Sequence, residues 1–228
     1  MNMMKKMVMG SVVLMGAAMG AQAYEAGDLI VRGGAATVAP NDSSSDVTLN
    51  GAPVPTTGSE VRVDSDTQLG LTATYMVTPS VGVELLAATP FRHNITANST
   101  LSAVSHDIGS TEHLPPTLTA QYYFNNSSIV TPYVGLGLNY TTFFHTDVDS
   151  GLETALGGHS TMKLSDSWGL AAEGGLDVKL SDNWLLNAAV WYIDIDTTAT
   201  ITSTAGNKVK TDVKIDPWVY MVGVGYKF

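Results

Sequence analysis

The stretch Trp168-Gly169-Leu170-Ala171-Ala172-Glu173-Gly174-Gly175-Leu176-Asp177-Val178-Lys179-Leu180 decides the fold. Trp168, Leu170, Ala172, Leu176, Val178 and Leu180 share one parity, while Ser167, Glu173, Asp177 and Lys179 share the other. Side chains alternate across a strand with period two, so the stretch is a strand with one apolar and one polar face. A slip of one residue would exchange the faces, so the pattern fixes which side meets apolar surroundings.

The same alternation recurs along the chain. Leu69, Leu71, Ala73, Tyr75 and Val77 alternate with Gln68, Gly70, Thr72 and Thr74, and Val81, Val83, Leu85 and Ala87 with Gly82 and Glu84. Leu118, Ala120, Tyr122 and Phe124 form another such row, as do Val134, Leu136, Leu138 and Tyr140, and finally Trp218, Tyr220, Val222, Val224, Tyr226 and Phe228. Eight segments result, at about 27–39, 67–77, 81–93, 114–124, 129–144, 163–180, 184–200 and 208–228. Thr78-Pro79-Ser80, Asn125 to Ser128 and Ser181-Asp182-Asn183 are short turns. Long polar stretches separate the other segments, at about 40–66, 94–113 and 145–166, with a shorter one near 202–207.

An even number of strands, short turns on one rim and long connections on the other predict an all-β fold. It is an eight-stranded antiparallel transmembrane β-barrel with short periplasmic turns and long extracellular loops. Closure leaves no unpaired strand edge for lipid to face. Tyr75, Tyr122, Phe124, Tyr140, Trp168, Trp184, Tyr192, Trp218, Tyr226 and Phe228 fall near strand ends, as interfacial girdles do. That placement, and an opposite parity rich in Gly, Thr and charge, argue against a soluble lipocalin-like barrel or sandwich.

Lys5 and Lys6, an apolar run from Val8 to Met19, and Ala21-Gln22-Ala23 follow the order of a secretory signal peptide. The expected division is a cleaved signal over 1–23 and a single barrel domain over 24–228. Removing Lys5 and Lys6 from the eleven basic residues leaves nine against twenty-one acidic ones, a net charge of −12. Such a surface repels nucleic acid, whose phosphates need cations. The chain has no cysteine, which excludes a disulfide scaffold, thiolate metal sites and thiol catalysis.

Several motifs carry a family resemblance. Gln68-Leu69-Gly70-Leu71-Thr72, the run from Gly82 to His93, Leu114-Pro115-Pro116-Thr117 and Pro132-Tyr133-Val134-Gly135 resemble the outer membrane protein W (OmpW) family. So do Asn139-Tyr140-Thr141, Asp166-Ser167-Trp168-Gly169, Val190-Trp191-Tyr192 with Asp194-Ile195-Asp196, and Asp216-Pro217-Trp218. The resemblance spans nearly the whole mature chain in order. It implies a Gram-negative outer-membrane barrel, among lipid and lipopolysaccharide, with a narrow hydrophobic lumen that passes small hydrophobic molecules. In some members it implies service as a bacteriocin or phage receptor. It also implies that terminal Phe228 is read by the barrel-assembly machinery.

An eight-stranded interior is nearly filled by side chains or holds one small ligand. The inward parity contains an apolar set, Leu86, Trp191, Ile193, Val219 and Met221, and a charged set, Arg32, Glu84, Glu173, Asp177, Lys179 and Lys227. The apolar set either plugs the barrel or lines a slot for an apolar ligand, with Leu86 and Trp191 as the constriction. The charged set is expected to pair and close the periplasmic half, since unpaired charge away from water is costly.

Pro90, Pro115, Pro116, Pro132 and Pro217 fall inside strand segments and mark ladder breaks, which could let a ligand leave sideways into the membrane. Near Asp216-Pro217 the apolar parity switches from Val209, Val213 and Ile215 to Trp218, Tyr220 and Val222, which reads as a bulge. His93, His106, His113, His145 and His159 read as solvated histidines at the long-loop rim. No metal or cofactor is expected, although the acidic loops could hold divalent cations bridging to lipopolysaccharide phosphates. The enzyme alternative, a lipid A-modifying barrel, would draw on Ser102, Ser105, Ser110, His106 and Glu112. No nucleophile-elbow motif supports it, and the chain is read as a non-enzyme.

Overall fold

The computed structural model describes residues 23–54, 61–98, 105–124 and 128–228. The expected signal peptide, up to Gln22, lies outside the described residues. In chain order the strands are β1 (Leu29–Ala39), β2 (Ser43–Ser44), β3 (Thr48–Leu49), β4 (Ala52–Pro53), β5 (Val61–Val63), β6 (Asp66–Thr78), β7 (Val81–Ala88), β8 (Phe91–Ala97) and β9 (Asp107–Leu114). They continue with β10 (Thr117–Tyr123), β11 (Val130–Val148), β12 (Ser160–Leu164), β13 (Ser167–Lys179), β14 (Trp184–Ile193), β15 (Asp196–Ser203), β16 (Lys208–Lys214) and β17 (Trp218–Lys227). A short helix, α1 (Ser150–Ala155), interrupts the longest connection.

Eight strands close into a ring. The antiparallel order β10-β7-β6-β1-β17-β14-β13-β11 returns on itself through the β10–β11 pairing, and the first and last barrel strands meet along β1–β17. The faces follow the sequence parity. On β6, Leu69, Leu71, Tyr75 and Val77 are exposed, while Thr72, Thr74 and Met76 are buried. On β14, Leu186 and Tyr192 face out, while Leu185, Asn187, Trp191 and Ile193 are buried. The girdle aromatics pair across strands: Tyr140 with Trp168 at 4.8 Å and Tyr192 with Trp218 at 5.3 Å on the outer row, and Trp184 with Tyr226 at 5.1 Å on the inner row.

The long outer connections are less loop-like than their polarity suggests. β12, β15, β16, β3 and β4 form one extracellular sheet with β2 beside β16, and the outer half of β11 continues into β9, β8 and β5. These sheets extend the barrel wall above the outer aromatic row.

The bulge expected near Asp216-Pro217 is not there. The offset that pairs Tyr192 with Trp218 also pairs Asp196 with Lys214, and the offset pairing Ala39 with Trp218 also pairs Ser43 with Lys214. No residue has been inserted. Val213, Ile215, Val219 and Met221 all point inward along one continuous parity. What changes is the medium outside the wall. Below the aromatic row the outer face meets lipid and is apolar; above it the outer face meets water, and the inner face carries the apolar side chains.

Filling the narrow lumen relies on glycine at several inward positions, Gly175 among them. Gly175 faces inward, and a Cβ there would overlap the Tyr133 ring, which packs at 5.0 Å on Tyr123. A Cβ at its neighbour Gly174 meets nothing within 4 Å. Gly175→Leu is therefore expected to destabilise the barrel by about 1–3 kcal/mol through overpacking, with Gly174→Leu near neutral. Urea unfolding of the two variants in lipid vesicles, followed by tryptophan fluorescence, measures the difference.

Candidate functional site

The lumen has two tiers. In the periplasmic half, Arg32 is fully buried and holds the interior together. Its Nε and Nη2 donate to Asp177 Oδ1 and Oδ2 at 3.0 and 2.6 Å. Its Nη1 donates to Thr74 Oγ1 at 2.8 Å and to Glu84 Oε2 at 3.2 Å, and Nη2 also reaches Tyr123 Oη at 3.0 Å. The Tyr24 hydroxyl donates to Asp177 at 2.6 Å. Glu173 accepts from Gln121 Nε2 at 2.9 Å and Thr119 Oγ1 at 3.0 Å. Four of the six charged residues singled out in the sequence thus sit in one buried network.

Lys179 and Lys227 do not join it. Lys179 pairs with Asp182 at 3.0 Å and Lys227 lies 3.7 Å from Asp28, at the periplasmic rim. Their long stems let the ammonium groups reach water, which costs less than burial. Losing one partner of the buried group leaves charge stranded, so Arg32→Met is expected to cost about 3–5 kcal/mol of barrel stability. Denaturant unfolding of the variant in vesicles checks this.

Above the network, Leu86, Trp191, Ile193, Val219 and Met221 pack into one buried apolar cluster with Ala36 and Val38. The five residues expected to line a slot are brought together, and their buried side chains form a floor to the extracellular tier.

Over this floor lies a cavity of about 200 Å³ in the extracellular tier. Its walls include Ile95 of β8, Leu156 after α1, Met162 of β12, Ile201 of β15 and Val209 of β16. α1 caps it. Asp149 accepts from Gly151 N to start the helix, and the Leu156 carbonyl accepts from Ser203 Oγ and Asn207 Nδ2, both at 3.0 Å. Sequence reasoning missed this chamber because it assigned its residues to polar loops. The signal was present in short rows, such as Phe91, His93, Ile95 and Ala97 against Arg92, Asn94 and Thr96.

The wall beside the chamber is interrupted. The β7–β10 ladder ends at Leu86↔Thr117, and β8–β9 resumes at Phe91↔His113 with its register displaced by one residue. Between them lie Thr89-Pro90 and Pro115-Pro116. Leu86 forms the lower lip of this gap.

His93 and His113 are not solvated, contrary to the sequence expectation. Both share the inward parity of Phe91 and are buried. Their rings stack at 4.9 Å, with Phe91 on one side at 5.6 Å from His113 and Phe143 on the other at 5.8 Å. Burial, reinforced by the neighbouring His93, pushes His113 down to about 3, and burial also lowers His93. The other three histidines are exposed and paired with acids: His106 with Asp107, His145 with Glu112 and His159 with Glu153.

Among the described residues, those of the enzyme alternative do not assemble. Ser105 Oγ donates to the Asp107 carbonyl, Ser110 Oγ accepts from Arg92, Glu112 meets His145, and Ser102 lies outside the described residues. Three carboxylates, Asp194, Asp196 and Asp216, have oxygens within 4.8 Å of one another on the outer surface above the aromatic row. Burial, then the neighbouring Asp216 and Asp196, raises Asp194 from its ordinary value.

A buried histidine that stays neutral in the folded wall but protonates when released has a definite pH signature. The folded value lies below the ordinary 6.5, so its stabilisation is complete above that pH and is lost as pH falls toward about 3. At pH 4 the outer wall is expected to be weaker by about 3 kcal/mol. Amide exchange in β8 and β9, corrected for intrinsic rates, should accelerate on acidification, and His113→Phe should flatten that dependence.

Comparison with known proteins places this geometry. The sequence profile of the OmpW family matches residues 25–228. The chain is 52% identical to outer membrane protein W of Vibrio cholerae serotype O1, over 90% of this chain and 91% of that protein. It superposes on the crystal structure of OprG from Pseudomonas aeruginosa with a TM-score of 0.82 at 52% identity, covering 91% of this chain and 98% of that one. The NMR solution structure of Escherichia coli outer membrane protein W gives a TM-score of 0.58 at 44% identity, covering 90% and 100% of the respective chains.

Proposed function

As the chain belongs to the OmpW family and is a β-barrel of the Gram-negative outer membrane, we propose that it admits small hydrophobic molecules into the extracellular chamber and releases them sideways into the membrane. The observation that carries this reading is an apolar cavity, sealed below by Trp191, Met221 and the Arg32 network, and bordered by the broken ladder at Pro90 and Pro115. Passage straight through would have to displace fully buried, hydrogen-bonded charge. Passage through the wall crosses a place where strand pairing is already absent.

A cavity of about 200 Å³ is comparable to apolar cavities that take a benzene-sized molecule. The chamber therefore suits a single ring or a short alkyl chain. No covalent step is involved; binding removes apolar surface from water at about 25 cal/mol per Å².

Uptake of a small radiolabelled hydrophobic compound by cells lacking the protein tests the reading. The cells would carry wild type, Leu86→Arg, Met162→Arg or an empty vector, with equal surface levels confirmed. Wild type should speed uptake. Both arginine variants should reduce the gain at least tenfold, one by charging the lip of the gap and the other by charging the chamber. If all strains match across several compounds, the chamber is only packing space and a bacteriocin or phage receptor role takes over.

A further inference from the structure

The wall of the chamber is broken a second time. The β11–β13 ladder ends at Thr141↔Ser167, one residue beyond the Tyr140–Trp168 pair of the outer aromatic row. Above it the two extracellular sheets part: the outer half of β11 pairs with β9, and β12 pairs with β15. Among the described residues no ladder joins β11 to β12, although the two strands lie side by side. Side chains bridge the seam. Thr146 Oγ1 donates to the Met162 carbonyl at 2.7 Å, and at the lower end Tyr140 Oη donates to Asp166 Oδ2 at 2.8 Å. Phe143 of β11 and Met162 and Leu164 of β12 line the chamber directly behind it.

The two breaks differ in backbone chemistry. At the first, Pro90, Pro115 and Pro116 bring no N–H. At the second, every residue of Thr142–Val148 and Ser160–Leu164 carries one. The bonds from Ser165 N to Thr198 O and from Thr204 N to His159 O set the alternation along β12–β15. Ser160, Met162 and Leu164 therefore turn their backbone groups away from β15 and toward β11. Ser160 N is taken by Glu153 Oε1 and Met162 O by Thr146, but the ladder that would receive this edge as a whole is missing. Hydrocarbon does not tolerate such an edge, whereas water serves it. The seam can part only into water, and the proline gap is fit to part into lipid.

We infer that the β11–β12 seam is the inlet of the chamber, through which small apolar molecules enter from the aqueous side, and that the proline gap serves as the outlet. The inference rests on the chamber being a ligand site, as proposed above. Opening the seam gives up a side-chain hydrogen bond that water can replace, while opening any paired stretch of the wall gives up a row of backbone bonds. The rival entrance is the junction of β4 and β5, whose connecting residues 55–60 lie outside the described residues.

The chain has no cysteine, so a pair introduced across the seam is unique. Thr146→Cys with Lys163→Cys is joined in intact cells, after assembly, by a short bis-methanethiosulfonate that a reductant removes. Each single variant is treated alike, and uptake of the radiolabelled compound is followed. Crosslinking should cut the gain over empty vector about tenfold or more, and reductant should restore it. The affinity of the purified, crosslinked barrel for toluene in nanodiscs should stay within about twofold, because closing an entrance slows exchange and leaves the chamber intact. Unchanged uptake overturns the inference, leaves the reading in place and moves the entrance to the β4–β5 junction. Loss of affinity together with uptake also overturns it, since the seam is then part of the site. No gain from wild type over empty vector overturns both. Spin labels at Lys163→Cys and Thr89→Cys test the assignment of media. The first should be relaxed by a water-soluble nickel chelate and the second by oxygen dissolved in lipid; the reverse pattern overturns the assignment. Should the double variant not reach the surface, Thr146→Val decides: removing the bond across the seam should raise uptake about twofold, and no rise overturns the inference.

Discussion

In the hydrocarbon core of a membrane every backbone N–H and C=O must find its partner within the protein. All else in this molecule follows from that demand. It forces the strands to close, and here the ring β10-β7-β6-β1-β17-β14-β13-β11 closes with eight. Eight strands leave a lumen that side chains nearly fill. The interior polar groups then have to satisfy one another, and Arg32 does so by taking Asp177, Glu84, Thr74 and Tyr123 together. A sealed periplasmic half is the direct consequence of closing a barrel this small.

The same demand limits where the wall can be broken. The ladder fails between Leu86↔Thr117 and Phe91↔His113, beside the height at which Tyr140 and Trp168 mark the end of the lipid-facing band. Prolines stand there, so Pro90, Pro115 and Pro116 bring no N–H into the break. Of the carbonyls there, Pro115 O accepts from Asn139 Nδ2 at 3.1 Å, and Pro116 O stays in the ladder to β11 through Tyr140 N at 3.0 Å. On the other strand Thr89 N donates to Leu69 O at 3.0 Å. The gap is thereby made compatible with its surroundings without being closed.

Most of the barrel was legible in the sequence because lipid writes a strict code. An outer face of Leu, Val, Tyr and Trp alternating with Gly, Thr and charge admits one register, and the row from Trp168 to Leu180 is read correctly apart from Lys179. The extracellular tier was not legible in the same way because the code inverts there. Once the wall leaves lipid, the outward residues become Asp212, Lys214, Asp194 and Asp196, and the inward ones become Val213, Ile215 and Ile201. Read with the lipid rule, that inversion looks like a bulge at Asp216 or like polar loop. Read with the water rule, parity and register run on unbroken from one strand to the next. The same inversion hid His93 and His113, whose inward parity with Phe91 and Ile95 was on the page. Lys179 and Lys227 escaped for a different reason: parity fixes where a Cβ points, and a long flexible stem does not have to follow it.

The two media also shape what the chamber can do thermodynamically. On the proposed route, an apolar molecule leaving water for the chamber gains the full transfer free energy, because its surroundings change from water to Ile95, Met162, Ile201 and their neighbours. Moving on through the gap into lipid exchanges one apolar environment for another, so the second step has little driving force of its own. A route of this form needs no energy source and no deep trap. Binding must be strong enough to draw a solute from water and weak enough, relative to lipid, to let it go. A small cavity with few polar contacts meets both conditions, and a wide or strongly polar one would meet neither.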